Sequence, residues 1–297
     1  MKRIYLLLFI LALSLKLEIC SQEIIEIEPL FEYPVAPEEM ESLEDRCNYI
    51  ISNFWNQLDF KRKTPVDQHA LNEAFNVYTT AFRYASPKER DQSIDKLLKN
   101  LSSNPILLLE FCKAAEENLY GPRANIWSDT YYMKFLDAVI KNKKVPASRK
   151  QKYQQQLTAM KNSEIGNIAP SFWFLDKERA SKQYFPMSTP TLLIFGNPDD
   201  TDWRLARLKM DSDYQLEDAL KKGKINILYI IPTEQKNWAE MVSNYNSYWT
   251  VGQSEEVKNI YDIRINPAIY LIGSDGKILK KNISPSEAAV SILEIIK

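Results

Sequence analysis

The sequence predicts two architectures in one chain: an all-α region over residues 37–164, and an α/β unit with a mixed sheet flanked by helices over residues 165–297. Three observations carry this. Apolar residues recur at spacings of three and four from Leu43 to Met160, the period of helices that bury one face. Beyond Gly166 the pattern changes to short apolar runs, Ser171 to Leu175, Thr191 to Phe195, Ile225 to Ile231 and Pro267 to Ile272, which suit strands. The order of these runs and the helical stretches between them, β, β-α-β-α, β-β-α, sets helices against both faces of one sheet.

Residues 22–36 are acidic and punctuated by Pro29 and Pro34, as expected of an extended lead-in. Pro37 is expected to start a first helix with Leu43, Cys47, Ile50, Ile51, Phe54, Trp55 and Leu58 on one face. A second runs through Leu71, Phe75, Tyr78 and Phe82. Ser86-Pro87-Lys88-Glu89 has capping-box spacing with Pro at the first helical position, and opens a third helix through Ile94 and Leu97. Asn104-Pro105 opens a fourth that reaches Leu119. Ser128 or Asp129 caps a fifth through Tyr132, Phe135 and Val139, and Pro146 opens a polar sixth with Tyr153, Leu157 and Met160. In the second half, Asp200 to Leu220, Glu234 to Tyr245 and Glu255 to Tyr261 are helical. Lys277 to Lys280 pairs back across a Ser274-Asp275-Gly276 turn, and Ser284-Pro285-Ser286-Glu287 opens the last helix.

Composition excludes several kinds of chemistry. The 297 residues hold 38 Lys and Arg against 39 Asp and Glu, so the basic surface that displaces phosphate counterions is missing and no nucleic-acid partner is expected. A single His, His69, leaves Ser-His-Asp catalysis and poly-His metal sites without material. With seven Gly and neither G-x-G-x-x-G nor G-x-x-x-x-G-K, no nucleotide seat and no cofactor are expected.

Lys2 and Arg3 ahead of the apolar run Ile4 to Leu15 predict an export signal over residues 1–21, cut before Gln22. Lipidation of Cys20 is the alternative, although Ile19 stands where a small residue is expected. Either route leads to the periplasm or cell envelope, and no later stretch is apolar enough to span a membrane. There Cys47 and Cys112 are either bridged or two buried thiols in helical, apolar surroundings.

The strand order, with a Pro immediately before the penultimate strand, resembles the thioredoxin fold. Residues 261–278, YDIRINPAIYLIGSDGKI, resemble the C-terminal half of TlpA-like periplasmic thioredoxin domains, whose pattern is close to Y-x-I-x-x-x-P-x-Y-L-x-D-x-x-G-x-I. The resemblance covers residues 165–297 and implies that Pro267 is cis and faces the site. Asp45-Arg46-Cys47-Asn48-Tyr49, Phe54-Trp55, Leu119-Tyr120-Gly121-Pro122 and Asp129-Thr130-Tyr131 resemble a helical domain of unknown function that precedes TlpA-like domains in exported Bacteroidetes proteins. No activity comes with that second resemblance.

Redox-active thioredoxin-like members place C-x-x-C at the start of the helix after the strand, where the helix dipole stabilises the attacking thiolate. Here the stretch reads Phe195-Gly196-Asn197-Pro198-Asp199-Asp200-Thr201-Asp202-Trp203, with Asp200 and Trp203 where the cysteines would stand. Neither can form a mixed disulfide, so dithiol exchange at this position is excluded and no catalytic residue is assigned. Two readings remain. In one, Asp199, Asp200 and Asp202 are first-turn acids that cap a helix, and Trp203 fills the space of the buried cysteine. In the other, Pro198 to Trp203 and Asn266-Pro267 form a surviving groove, with Trp203 as aromatic anchor, Asn266-Pro267 as backbone ledge and Asp200 as a negative point. The aspartate spacing lacks the Gly and terminal Glu of a calcium loop, and no metal is expected. The expected function is a non-catalytic protein- or peptide-binding or scaffold role in the cell envelope, its partner an envelope protein or peptide. The alternative is a thiol-disulfide oxidoreductase relative whose activity is lost or relies on Cys47 and Cys112.

Overall fold

A computed structural model describes residues 28–186 and 188–296; the expected export signal and Cys20 lie outside the described residues. In the first half, the helices begin where a polar side chain can take up an amide that the helix leaves unbonded. Ser42 accepts from Asp45 N–H before α1 (Leu43–Asn53), and Asp67 from Ala70 before α2 (Gln68–Thr80). Ser86 does so before α3 (Pro87–Leu101), Asn104 before α4 (Pro105–Ala115) and Ser128 before α5 (Asp129–Lys141). Pro146 precedes α6 (Ala147–Asn162).

Three expectations are corrected here. Pro37 lies in a turn whose carbonyl accepts from Met40, and the first helix begins only after the Ser42 cap. The capping boxes form in their Ser half only. The Glu89 carboxylate accepts from Ser52 and Asn48 takes the Ser86 amide, while Glu287 pairs with Lys280. The fourth helix ends at Ala115 and gives way to a π turn, Glu116–Tyr120, closed at Gly121.

The core of this half is aromatic. Trp55 meets Phe111 edge to face at 4.8 Å, Phe75 meets Phe135 at 5.7 Å, and Tyr78 meets Phe82 at 4.9 Å. The buried Tyr78 hydroxyl pairs with Ser93 Oγ at 2.7 Å, and Ser93 donates to the Ile51 carbonyl, so three helices share one satisfied polar chain.

The second half is built on a seven-stranded sheet with the order β2-β1-β5-β4-β3-β6-β7. Its strands are β1 (Phe172–Leu175), β2 (Ser181–Tyr184), β3 (Thr191–Phe195), β4 (Asn226–Ile231), β5 (Thr250–Gln253), β6 (Ala268–Ile272) and β7 (Ile278–Lys281). β3, β4 and β5 are parallel; β6 runs antiparallel to β3, and β1 antiparallel to β5. β2 and β5 have no apolar run, and periodicity misses both. The stretch from Asp200 to Leu220 is two helices, α7 (Thr201–Asp211) and α8 (Tyr214–Lys221), because Asp213 turns its carboxylate onto the Gln215 and Leu216 amides and restarts the helix. The next two expected helices shrink to α9 (Trp238–Ser243) and a 3₁₀ turn, Glu256–Asn259. Ser284 caps α10 (Pro285–Glu294).

One face of the sheet buries Leu192, Ile194, Tyr229 and Leu271 against Trp203, Leu216 and Ile292 of the helices. The other buries Leu193, Phe195 and Tyr270 with Phe172, Val257 and Tyr261. The helical half docks on the segment entering β6. Asn162 donates to the Ile260 carbonyl (3.3 Å), and Ser163 Oγ accepts from Asp262 N–H (2.9 Å).

Candidate functional site

The candidate site is assembled where β3 ends. The Gly196 carbonyl accepts from the buried Tyr229 hydroxyl at 3.0 Å, and a side chain at Gly196 would crowd the Tyr229 ring and touch Asn266 and Pro267. Asn266 Oδ1 accepts from Asn197 N–H at 2.7 Å and ties the two loops together. Asn197 Oδ1 in turn accepts from Asp199 N–H at 3.0 Å. The Asn266–Pro267 peptide is cis, as the resemblance implies. Asp200 is the N-cap of α7, its carboxylate accepting from Trp203 N–H at 2.7 Å, and Asp202 lies in the first turn, so the local acids suit the helix dipole.

Trp203 has no exposed surface. Its ring packs on Tyr229 at 5.2 Å and lies 6.4 Å from Trp249, inside the core beneath α7. The packing reading therefore describes this residue, and its assignment as an exposed aromatic anchor is corrected: an indole with no accessible face cannot meet a partner. Pro198 is buried as well. Asn197, Asp199, Asp202 and Asn266 remain exposed at this corner, with Pro267 half-buried.

Among the described residues no two cysteines are paired. Cys47 and Cys112 are unbridged and buried, the second of the two alternatives the sequence leaves. Burial pushes both thiols up, Cys47 against the opposing pull of Arg46 and Cys112 with further help from Glu116. An attacking thiolate needs the opposite shift and an accessible sulfur. His69 is exposed on α2.

Sequence reasoning missed an ionic cluster that joins the two halves three residues before Pro267. Arg264 Nε donates to both oxygens of Asp262 (3.1 and 3.0 Å), and its Nη2 bonds both Asp262 and Asp129 (2.7 Å to Asp129 Oδ1). Lys281 Nζ reaches Asp129 at 2.6 Å and Asp262 at 3.4 Å, and the Tyr120 hydroxyl donates to Asp262 Oδ1 at 2.8 Å. The guanidinium also stacks on the Tyr120 ring at 4.2 Å. Burial works against the charge on Arg264, but Asp262 and Asp129 override it and hold the group firmly protonated. Asp129, expected at a helix cap, is a partner in this cluster instead. The visible signal was Asp262-x-Arg264, two opposite charges inside an apolar run.

Comparison with protein families matches residues 14–163, just over half of the chain, to a "Domain of unknown function (DUF5106)". Among solved structures, a thioredoxin-like protein from Bacteroides caccae is similar at 17% identity over 90% of this chain and 99% of that one, with a TM-score of 0.66. That likeness is one of fold and extends over both halves. A conserved protein of unknown function from Bacteroides fragilis matches at 22% identity over 44% of this chain and 99% of its own, with a TM-score of 0.41. The thioredoxin domain of a thiol-disulfide oxidoreductase from Bacteroides vulgatus matches at 18% identity over 45% of this chain and 99% of its own, with a TM-score of 0.39. No curated protein matches the chain.

Proposed function

We propose, from the premise that this chain belongs to the DUF5106 family, that it is an exported envelope protein whose thioredoxin-like unit binds a protein or peptide and carries out no dithiol exchange. One observation carries the reading. At the two positions where redox-active relatives of this fold need sulfur, Asp200 caps α7 and Trp203 is sealed in the core. A carboxylate and an indole offer no sulfur for the mixed disulfide through which exchange proceeds. The backbone apparatus around them is retained: the Asn197–Asn266 hydrogen bond holds a half-exposed ledge at Pro267, the kind of rigid rim on which an extended chain can lie.

The division near residue 164 belongs to the same reading. It is supported by the buried clusters, one ending at Met160 and the others beginning at Ala169. Export rests on the basic-then-apolar start of the chain, and among the described residues no helix is long and apolar enough to cross a membrane.

The test uses the chain from Gln22 onward. Insulin reduction is expected to stay at the level of a blank without protein. Reduction that rises with this protein and vanishes in Cys47→Ser or Cys112→Ser would restore the oxidoreductase alternative. Extended peptides drawn from envelope proteins are then titrated in by fluorescence anisotropy. The binding reading fails if none binds more tightly than about 1 mM, some 4 kcal/mol.

A further inference from the structure

Two clefts that share Glu234, one of them at the Asn197 corner, make up a trench along the carboxyl ends of β3, β4 and β5. Its near part is lined by Asn197, Asp199 and the loop 233–237, its far part by β1 from Trp173 to Leu175 and the segment Gln253 to Glu256; Glu234 belongs to both. Ligands of open sheets gather beyond the carboxyl ends of parallel strands, where the loops diverge.

The lining has a definite charge. Asp199, Glu234, Glu255 and Glu256 are all exposed, and none of them forms an ion pair among the described residues. Among the described residues Lys236 is the single cation in the lining itself, and Arg179 sits behind it, committed to Gln253 Oε1 at 2.9 Å and to the Trp238 ring. Carboxylates arrayed along one cleft sum to a negative field that draws cations in.

Two further features point to a side-chain ligand. Trp173 is 52% exposed, so its indole face is open, and the Glu256 carboxylate fixes the strand beneath it by accepting Trp173 N–H at 2.6 Å. Ser254 lines the same trench at only 7% exposure, and its hydroxyl makes no hydrogen bond among the described residues. An open indole beside unpaired carboxylates and a sunken hydroxyl suits an ammonium or guanidinium head, which gains cation–π contact and charge-assisted hydrogen bonds together.

We propose that this trench receives an extended, lysine- or arginine-bearing segment of a partner protein, with Trp173, Glu234 and Glu255 setting the preference for positive charge. This rests on the peptide-binding reading above and adds the chemical class of the partner.

The test titrates the whole protein with three dye-labelled eight-residue peptides, alternating Lys-Thr, Gln-Thr and Glu-Thr, at 50 and 200 mM salt. The lysine peptide is expected to bind at least tenfold more tightly than the glutamine peptide, and to lose several-fold at the higher salt. Glu234→Gln/Glu255→Gln and Trp173→Ala should each weaken the lysine peptide at least fivefold and leave the glutamine peptide unchanged. These side chains are exposed, so the variants keep the fold, which circular dichroism checks. Equal affinity for the lysine and glutamine peptides overturns the charge preference and leaves the peptide-binding reading standing. Lysine-peptide affinity unchanged in both variants overturns the assignment of residues. Preference for the glutamate peptide overturns the proposal outright, and absence of binding by all three overturns it together with the reading beneath it.

Discussion

Replacing Arg264 by Met removes the charge that holds Asp262 while keeping most of the apolar stem. The Arg264 side chain is 1% exposed and that of Asp262 is fully buried, so the variant strands a carboxylate with little access to water. Breaking a buried pair from one side costs about 3–5 kcal/mol. Two partners remain to Asp262, Tyr120 at 2.8 Å and Lys281 at 3.4 Å, which argues for the lower end. Loss of the stack on Tyr120 adds about 0.5–1 kcal/mol, giving about 3.5–4 kcal/mol in all. With a urea slope of roughly 3 kcal/mol/M, the midpoint followed by tryptophan fluorescence should fall by about 1 M. Arg264→Met/Asp262→Leu should recover most of this, because no charge is then stranded and Asp129 keeps Lys281 at 2.6 Å. The hydrogen bonds that Asp262 makes through its backbone, to Ser163 and from Tyr270, survive the change. A loss below about 1 kcal/mol in the single variant, or a double variant as weak as the sum of the two single ones, refutes the reasoning.

Other outcomes follow from the same contacts. Burial works to raise the Asp129 pKa, but Arg264 and Lys281 overrule it and hold the carboxyl below its ordinary value. Its folded pKa thus lies below the unfolded one of about 3.9, and the stabilisation, present above that value, is lost as pH falls through the folded pKa. Urea midpoints between pH 3 and 6 should fall from about pH 4 downward, less steeply in Asp129→Asn; parallel curves would discount this contribution. Trp203→Ala should cost about 3–5 kcal/mol by emptying a fully buried site against Tyr229, measured by thermal or urea unfolding. An unchanged midpoint would mean that the indole is not core. Gly252→Ala would drive a methyl into the Phe174 ring and to 3.0 Å from the Leu175 carbonyl, so a loss of about 1–3 kcal/mol is expected in the same assay. Wild-type stability would show that β1 yields freely.

How much of the molecule can be read from the sequence depends on the range of the interaction. Ser86, Ser128 and Ser284 announce helix starts because a cap joins residues three apart. β3, β4 and β6 announce themselves because strands covered on both faces are apolar at nearly every position. β2 does not, since it lies at the sheet edge with three of its four residues exposed, nor does β5, where Gly252 makes room for Phe174. At the candidate site, the missing cysteines and the proline were plain from the motif. The trench was hidden, because Trp173, Asp199, Glu234 and Glu255 come from four separate stretches.

The sequence by itself therefore determined the helical and α/β halves, the buried strands β3, β4 and β6, and the carboxylate and indole that stand at Asp200 and Trp203, all of which rest on local pattern or on the identity of an atom. Tertiary structure alone decided which way Trp203 faces, because an indole at that period fits a groove or a core equally well until Tyr229 and Trp249 close over it. It also decided that Asp129 meets Arg264 across 135 positions of chain, since an ion pair is chosen by which charges burial brings together, and spacing along the sequence carries no record of that.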